Sequence, residues 1–353
     1  MKTVVASLVL FTGMLVSLVA YGQISSPAIL LVLAKSDSML QLVDPTTLQV
    51  TAKIPAGPDP HEVVVSADGK TAFISNYGFG AYNTLTVVDL VTRKQLATFD
   101  LGALRGPHGL MFAGGKVWFT AEAAKAIGSY DPATQKIDWI LGTGQNRTHM
   151  IYIWPDLKRI ATTNVNSGTV SIIEKSTGAP LVPPGGNATN MAPPPRGPMG
   201  PPGGDWQETV VRVGNGCEGF DVSPDGKEIW VANAHDGTVS IIDVATKTVT
   251  QTLAADVMGA NRLKFTPDGK LALISSLRGS DVTVIDSSTR KTVKRINVGH
   301  GSAGIQMQPD GARAFVACSP DGYVAVVDLH SLSVVGRIEA GKDPDGLAWV
   351  SEP

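Results

Sequence analysis

An all-β, seven-bladed β-propeller is the fold that this 353-residue sequence predicts. Two recurrences and the two chain ends carry that prediction. An apolar run closed by an acidic residue returns seven times, at Asp44, Asp89, Asp131, Glu174, Asp243, Asp286 and Asp328. The intervals are 45, 42, 43, 69, 43 and 42 residues, and a period near 43 is that of a four-stranded blade. A second anchor keeps the same step: Ala67-Asp68-Gly69, Pro155-Asp156-Leu157, Pro224-Asp225-Gly226, Pro267-Asp268-Gly269 and Pro309-Asp310-Gly311. Asp-Gly between apolar runs marks a tight hairpin, because Gly tolerates positive φ.

Each unit reads as four short antiparallel strands; in the fifth these are 219–223, 228–232, 238–242 and 248–253. The chain ends on Asp345-Gly346-Leu347-Ala348-Trp349-Val350, a first strand with nothing after it. Residues 29–54 supply second to fourth strands with nothing before them. Joined, they make one blade, and a blade shared between the termini closes the ring and removes sheet edges. The innermost strands, such as Val63-Val64-Val65 and Ile151-Tyr152-Ile153, are expected to be apolar on both faces.

Composition narrows the function classes. With 29 basic and 31 acidic residues the net charge is −2, which argues against bulk capture of nucleic acid or anionic lipid. Two cysteines exclude a disulfide-dense scaffold and a four-cysteine zinc site. An apolar content of 43% is enough for a sizeable core. Lys2, the apolar stretch 4–20, and small residues Ala20 and Gly22 before Gln23 read as a secretory signal peptide over 1–22. An uncleaved anchor is the other reading, at the short limit for spanning. The propeller is then 23–353, periplasmic or extracellular, monomeric and free of the membrane after cleavage. Its 69-residue interval marks an insertion in blade four: 176–206 holds nine prolines and seven glycines. Such a segment cannot form a ladder or packed core. It reads either as a tolerated surface insertion or as a protein-docking tether.

Trp230-Val231-Ala232-Asn233, followed by Thr238-Val239-Ser240-Ile241-Ile242-Asp243, resembles the YVTN family of β-propellers, and the resemblance extends over nearly all of 23–353. Blade three, with Lys116-Val117-Trp118-Phe119-Thr120-Ala121-Glu122, is more similar to a streptogramin lyase repeat. The family includes surface-layer proteins; its relatives include lactonases, amine dehydrogenase subunits, d1-haem proteins and nitrous oxide reductase. Nitrous oxide reductase lines its funnel with histidines for copper, and streptogramin lyases pair a His with carboxylates and magnesium. Lactonase relatives use His and Arg in the same mouth, which implies such parts for His61 and Arg262.

Aligning the blades on their hairpins puts one polar position of each blade in register: Asp345, His61, His108, His149, Glu218, Asn261 and Ala303. Three of the chain's six histidines fall there, on adjacent blades. The position starts each innermost strand, so all seven stand at one height around the axis. His61, His108 and His149 are therefore candidate metal ligands, for Cu, Zn, Fe or Mg, since neutral imidazole suits the transition metals and carboxylates add hard oxygens. Glu218, Asp345 and Arg262 are candidate catalytic or supporting groups. A second register, at the ends of second strands, holds Asn76, Glu122, Asn164, Asn233, Ser276 and Cys318. Asn76, Glu122, Asn164, Asn233 and Asn261 are the candidate cofactor or ligand contacts. Tyr77, Phe79 and Tyr82 lie in an enlarged loop near this mouth and could stack on a ligand. Cys217 and Cys318 read as small buried residues or soft copper ligands, too far apart for a disulfide.

The expected function is an exported propeller with a metal- or small-molecule-binding site at a histidine-lined mouth, of a lyase, hydrolase or redox type if it is catalytic. The alternative is a non-enzymatic interaction or surface scaffold with structural histidines.

Overall fold

The computed structural model describes residues 28–176 and 205–351. The proposed leader and most of the Pro/Gly-rich insertion lie outside the described residues. Seven four-stranded antiparallel sheets make up the molecule. Helix is confined to three single 3-10 turns among the described residues. The innermost strands are Pro344–Val350, Pro60–Val65, Pro107–Ala113, Thr148–Ile153, Cys217–Val222, Ala260–Phe265 and Ser302–Met307. Each packs on its two neighbours in a closed ring. Blade one is completed by both chain ends: Pro344–Val350 pairs antiparallel with Ile29–Ala34, placing Leu31 opposite Ala348.

The recurring acidic residue has a local job. Asp44 Oδ1 accepts from the Thr46 and Thr47 N–H groups, and Asp89, Asp131, Asp286 and Asp328 accept in the same way. Each carboxylate thereby pins the turn between third and fourth strands, which then passes through a residue at positive φ such as Leu48 or Arg290. The Asp-Gly hairpins work likewise: Asp268 Oδ1 accepts from Lys270 N and Thr266 Oγ1, and Gly269 sits at φ 71°. Leu157 adopts φ 55° where the five other hairpins of this kind use Gly.

The core lies between blades. One cluster joins Leu273 and Val284 of blade six to Val316 and Val327 of blade seven. Second strands carry the deepest burial; Thr71–Asn76 has five of its six residues buried. The innermost strands pack on both faces as expected: Val63 and Val65 join the cluster with blade one and Val64 the cluster with blade three. Several of their residues, as in Pro60–Val65, are only half-buried, where the strand lines the axial channel. Fourth strands are the most exposed, as an outer edge allows: Gln49–Pro55 alternates exposed with half-buried or buried residues, and Lys94–Asp100 is exposed at six of its seven positions. Antiparallel connectivity puts the Asp-Gly turns and the third-to-fourth-strand turns on one face. The segment linking Lys175 to Trp206 leaves from that face. The starts of the innermost strands lie on the other.

Candidate functional site

The polar register is built by a repeated backbone irregularity. In blades two to seven the innermost strand slips register against the second strand at its start, between Pro60 and Val63 in blade two and between Thr148 and Ile151 in blade four. Each slip is a β-bulge, which breaks the in-out alternation and re-aims side chains. The residue two before each register position has positive φ: Asp59, Gly106, Arg147, Gly216, Gly259, Gly301 and Asp343. In blades two, three, four and six a second-strand hydroxyl then locks the bulge to the next blade, where blades five and seven have Ala232 and Ala317. Thr120 Oγ1 accepts from Gly109 N (2.9 Å) and donates to His149 O (2.7 Å). Ser75 does the same for Glu62 N and His108 O, Thr163 for Met150 N and Glu218 O, and Ser275 for Arg262 N and Ala303 O.

All seven register residues, Asp345, His61, His108, His149, Glu218, Asn261 and Ala303, line one funnel cavity of about 220 Å³. The three histidines stand in a row. Ring centroids of His61 and His108 are 4.5 Å apart, and those of His108 and His149 are 3.8 Å apart. The ligand atoms that converge belong to a different trio from the one the sequence suggests. His108, His149 and Glu122 bring one atom each within 4.8 Å of one another. His61 leans instead toward Asp345, with Nε2 3.5 Å from Oδ2, and Lys35 Nζ holds the same oxygen at 3.1 Å.

His149 lies between two carboxylates. Its Nδ1 is hydrogen-bonded to Glu122 Oε1, and its Nε2 is 2.7 Å from Glu218 Oε2 but out of hydrogen-bonding alignment. Arg147 ties the pair together, with Nη1 3.0 Å from Glu218 Oε1 and Nε 3.5 Å from Glu122 Oε1. Tyr77 donates its hydroxyl to Glu122 Oε2. Burial disfavours a charged His149, yet Glu218 and Glu122 outweigh it and raise its pKa. Burial opposes ionisation of Glu218 too, but His149 and Arg147 hold it down to about 2. His108 is driven well below the ordinary range by burial and by its cationic neighbourhood, so it is neutral. Among the described residues, His61 Nδ1 and His108 Nδ1 are buried without a hydrogen-bond partner. Buried polar atoms in native proteins are nearly always partnered, and three of the six exceptions among the described residues, these two and His149 Nε2, gather in this one mouth, which points to a ligand.

The structure splits the candidate ligand contacts. Asn261 lines the funnel, and Glu122 joins the site from one residue beyond the second register, where Ala121 pairs with Pro107 as Asn76 pairs with Pro60. Asn76, Asn164 and Asn233 do not reach it. They are fully buried and bond locally: Asn76 Nδ2 donates to Ala56 O at 2.9 Å, and Asn164 and Asn233 donate to Thr and Ser hydroxyls of their own third strands. Asparagine amides there close hairpins within a blade. Cys217 and Cys318 are free, buried thiols. Burial lifts them to about 11 and about 12, and each donates to backbone carbonyls, so neither serves the mouth. His235 and His300 are exposed, and His300 pairs with Asp321.

Arg262 has a role that strand-level reading missed. It follows a register position, where four blades have glycine. A Cβ on Gly109, Gly219, Gly304 or Gly346 would come within 2.1–2.5 Å of a carbonyl oxygen of the next blade. Blades two and six carry Glu62 and Arg262 instead, and the two pair across the channel axis. This buried bar separates the histidine funnel from a second cavity of about 510 Å³ opening to the other face. Arg147, Lys35 and Glu62 also escaped the sequence reading. Arg147 carried a readable signal: it stands in a register otherwise filled by Gly and Asp.

Comparison with known proteins agrees with this architecture. The YNCE-like beta-propeller family matches residues 204–313, less than half of the chain. No curated protein matches. Among solved structures, a protein of unknown function from Desulfotomaculum acetoxidans is 14% identical with a TM-score of 0.71, covering 91% of this chain and 98% of that one. A Bacteroides fragilis protein provisionally named a 6-phosphogluconolactonase is 17% identical with a TM-score of 0.68, covering 93% and 99%. The Kuenenia stuttgartiensis hydrazine synthase is 18% identical with a TM-score of 0.63, covering 81% and 88%. The chain is thus a seven-bladed β-propeller with YVTN-type repeats. At these identities the likeness shows the fold alone.

Proposed function

We propose that this is an exported propeller that binds a divalent transition metal in its histidine mouth, through His108, His149 and Glu122. The observation that carries the reading is the convergence of those three ligand atoms within 4.8 Å beside imidazole nitrogens left without partners. Two imidazoles and a carboxylate are a donor set suited to zinc, copper or iron. Asp59, Glu62, Glu122, Glu218, Asp343 and Asp345 face Lys35, Arg147 and Arg262, so a divalent cation offsets the local acidic excess. Within the site, Glu218 and Arg147 hold His149 and Glu122 in place. Tyr77 fixes the other oxygen of Glu122. A bound metal would supply Lewis acidity toward a small molecule entering the funnel. The second reading, a scaffold with structural histidines, draws on His149, whose two nitrogens already face carboxylates.

Elemental mass spectrometry of the full chain produced with export separates the two. About one equivalent of a transition metal is expected in wild type. It should be lost in His108→Ala and in Glu122→Gln, each with an unchanged circular dichroism spectrum. Metal-free protein before and after reconstitution overturns the metal reading in favour of the scaffold. Export is checked separately, by a mature N-terminus at Gln23 in the periplasmic or extracellular fraction.

A further inference from the structure

The loop that enlarges blade two is left unused by the metal reading. Phe79 is 84% exposed, more than any other large hydrophobic residue described. It also adopts φ 50°, a conformation that an aromatic residue rarely takes. The loop is not loose. Gly78 N donates to Asp59 Oδ2 (2.7 Å), Gly80 N to Tyr77 O (3.0 Å) and Ala81 N to Gly78 O (2.8 Å). From the neighbouring blade, Arg105 donates to Gly80 O and Ala81 O, and Gly106 N to Tyr82 O. A strained aromatic held out into water by this many bonds is unfavourable twice over, and such features concentrate at ligand clamps.

Its position gives the feature meaning. The Phe79 ring is 5.4 Å from the Tyr77 ring, and Tyr77 is 5.0 Å from His61 and 4.9 Å from His108. The aromatic surface therefore steps down from the rim to the proposed metal ligands. A further cavity of about 520 Å³, on the same face, adjoins the funnel, and the two share Tyr77, Phe79 and Arg147 as a common wall. Arg147 is itself held at φ 58°, and its side chain stays 32% exposed although it pairs with Glu218 and Glu122.

We propose that the ligand of this mouth is a small aromatic carboxylate, its ring seated on Phe79 and Tyr77 and its carboxylate turned toward Arg147 and the metal held by His108, His149 and Glu122. The proposal rests on the metal reading for its carboxylate and on the aromatic step for its ring. Offset or edge-on ring contacts favour an arene over a saturated ring of equal size. A carboxylate matches the planar fork of a guanidinium.

Benzoate and cyclohexanecarboxylate, equal in charge and close in size, are the probes. They are titrated calorimetrically into the full chain, metal-free and loaded with Zn²⁺. Benzoate should bind about tenfold tighter than cyclohexanecarboxylate, the size of one ring contact. Phe79→Leu should abolish that preference while leaving metal content and melting temperature unchanged. Equal affinities for the two acids, a preference that survives Phe79→Leu, or no binding to either form of the protein would each overturn the proposal's ring seat. Benzoate affinity in metal-free protein equal to that in loaded protein would overturn the metal's part in holding the carboxylate and leave the aromatic seat standing.

Discussion

The side chains around His149 separate structural from functional duty one residue at a time. His149 is 2% exposed and keeps apart two carboxylates that are themselves nearly buried. Replacing it by Ala leaves Glu122 and Glu218 facing each other with Arg147 as their one remaining shared partner. Loss of one member of a buried charged group costs about 3–5 kcal/mol, and chemical denaturation of His149→Ala should show a loss of that size. Asn164 is the opposite case. It is fully buried and bonded to Thr148, Thr169 and Ser171, away from the funnel. Asn164→Ala should cost about 1–3 kcal/mol by stranding those hydroxyls, with metal content unchanged. A loss of metal from Asn164→Ala together with an intact fold would return that asparagine to the site.

At the scale of the strand, the bulge at the start of each innermost strand decides which side chains see the axis. Its companion glycines let adjacent blades approach. Gly304 is the tightest, with a built Cβ only 2.1 Å from Asp345 O across the blade seven to blade one junction. Backbone carbonyl cannot yield as a flexible side chain can. Gly304→Ala should therefore destabilise by at least the ~1–3 kcal/mol of ordinary overpacking and disturb Asp345. Gly142→Ala is the control, because nothing lies within 4 Å of a Cβ there; its melting temperature should match wild type. Equal behaviour of the two variants would mean that the blades have slack at this junction.

For the whole ring, two features set stability. Blade one takes its innermost strand, Pro344–Val350, from the C-terminus. Truncation after residue 343 should open the ring and abolish cooperative unfolding, as followed by calorimetry. Acid acts on all blades together. Hydrogen bonds from the turns lower the pKa of Asp44, Asp89, Asp243, Asp286 and Asp328, and of the hairpin residues Asp68 and Asp225, while Asp268 falls to about 2. Groups lowered in the folded state stabilise it above their ordinary range near pH 4, and that contribution is lost as pH falls through the folded values. The melting temperature should be level above about pH 5 and fall progressively toward pH 2. A flat profile down to pH 2 would mean that the turn aspartates contribute nothing to the fold.

The sequence by itself determined the architecture, because a repeated fold writes itself repeatedly. The acidic residue at each third-strand end and the Asp-Gly hairpin are local hydrogen-bonding devices, legible wherever they recur. Their step also aligned His61, His108, His149, Glu218 and Asp345 at one height, since residues equivalent by repeat are equivalent by rotation about the axis. What the register could not tell was direction. The Asn76 amide turns to Ala56 O, and Glu122 proves to stand one residue beyond that register, since Ala121 pairs with Pro107 as Asn76 pairs with Pro60; from there it reaches His149 and Tyr77. The grouping of His108 with His149 and Glu122, the turn of His61 toward Asp345, and the Glu62–Arg262 bar across the axis join different blades. Such contacts depend on bulge geometry, side-chain length and the curvature of the closed ring. Only the tertiary structure brings those quantities together, because no repeat contains its own neighbour.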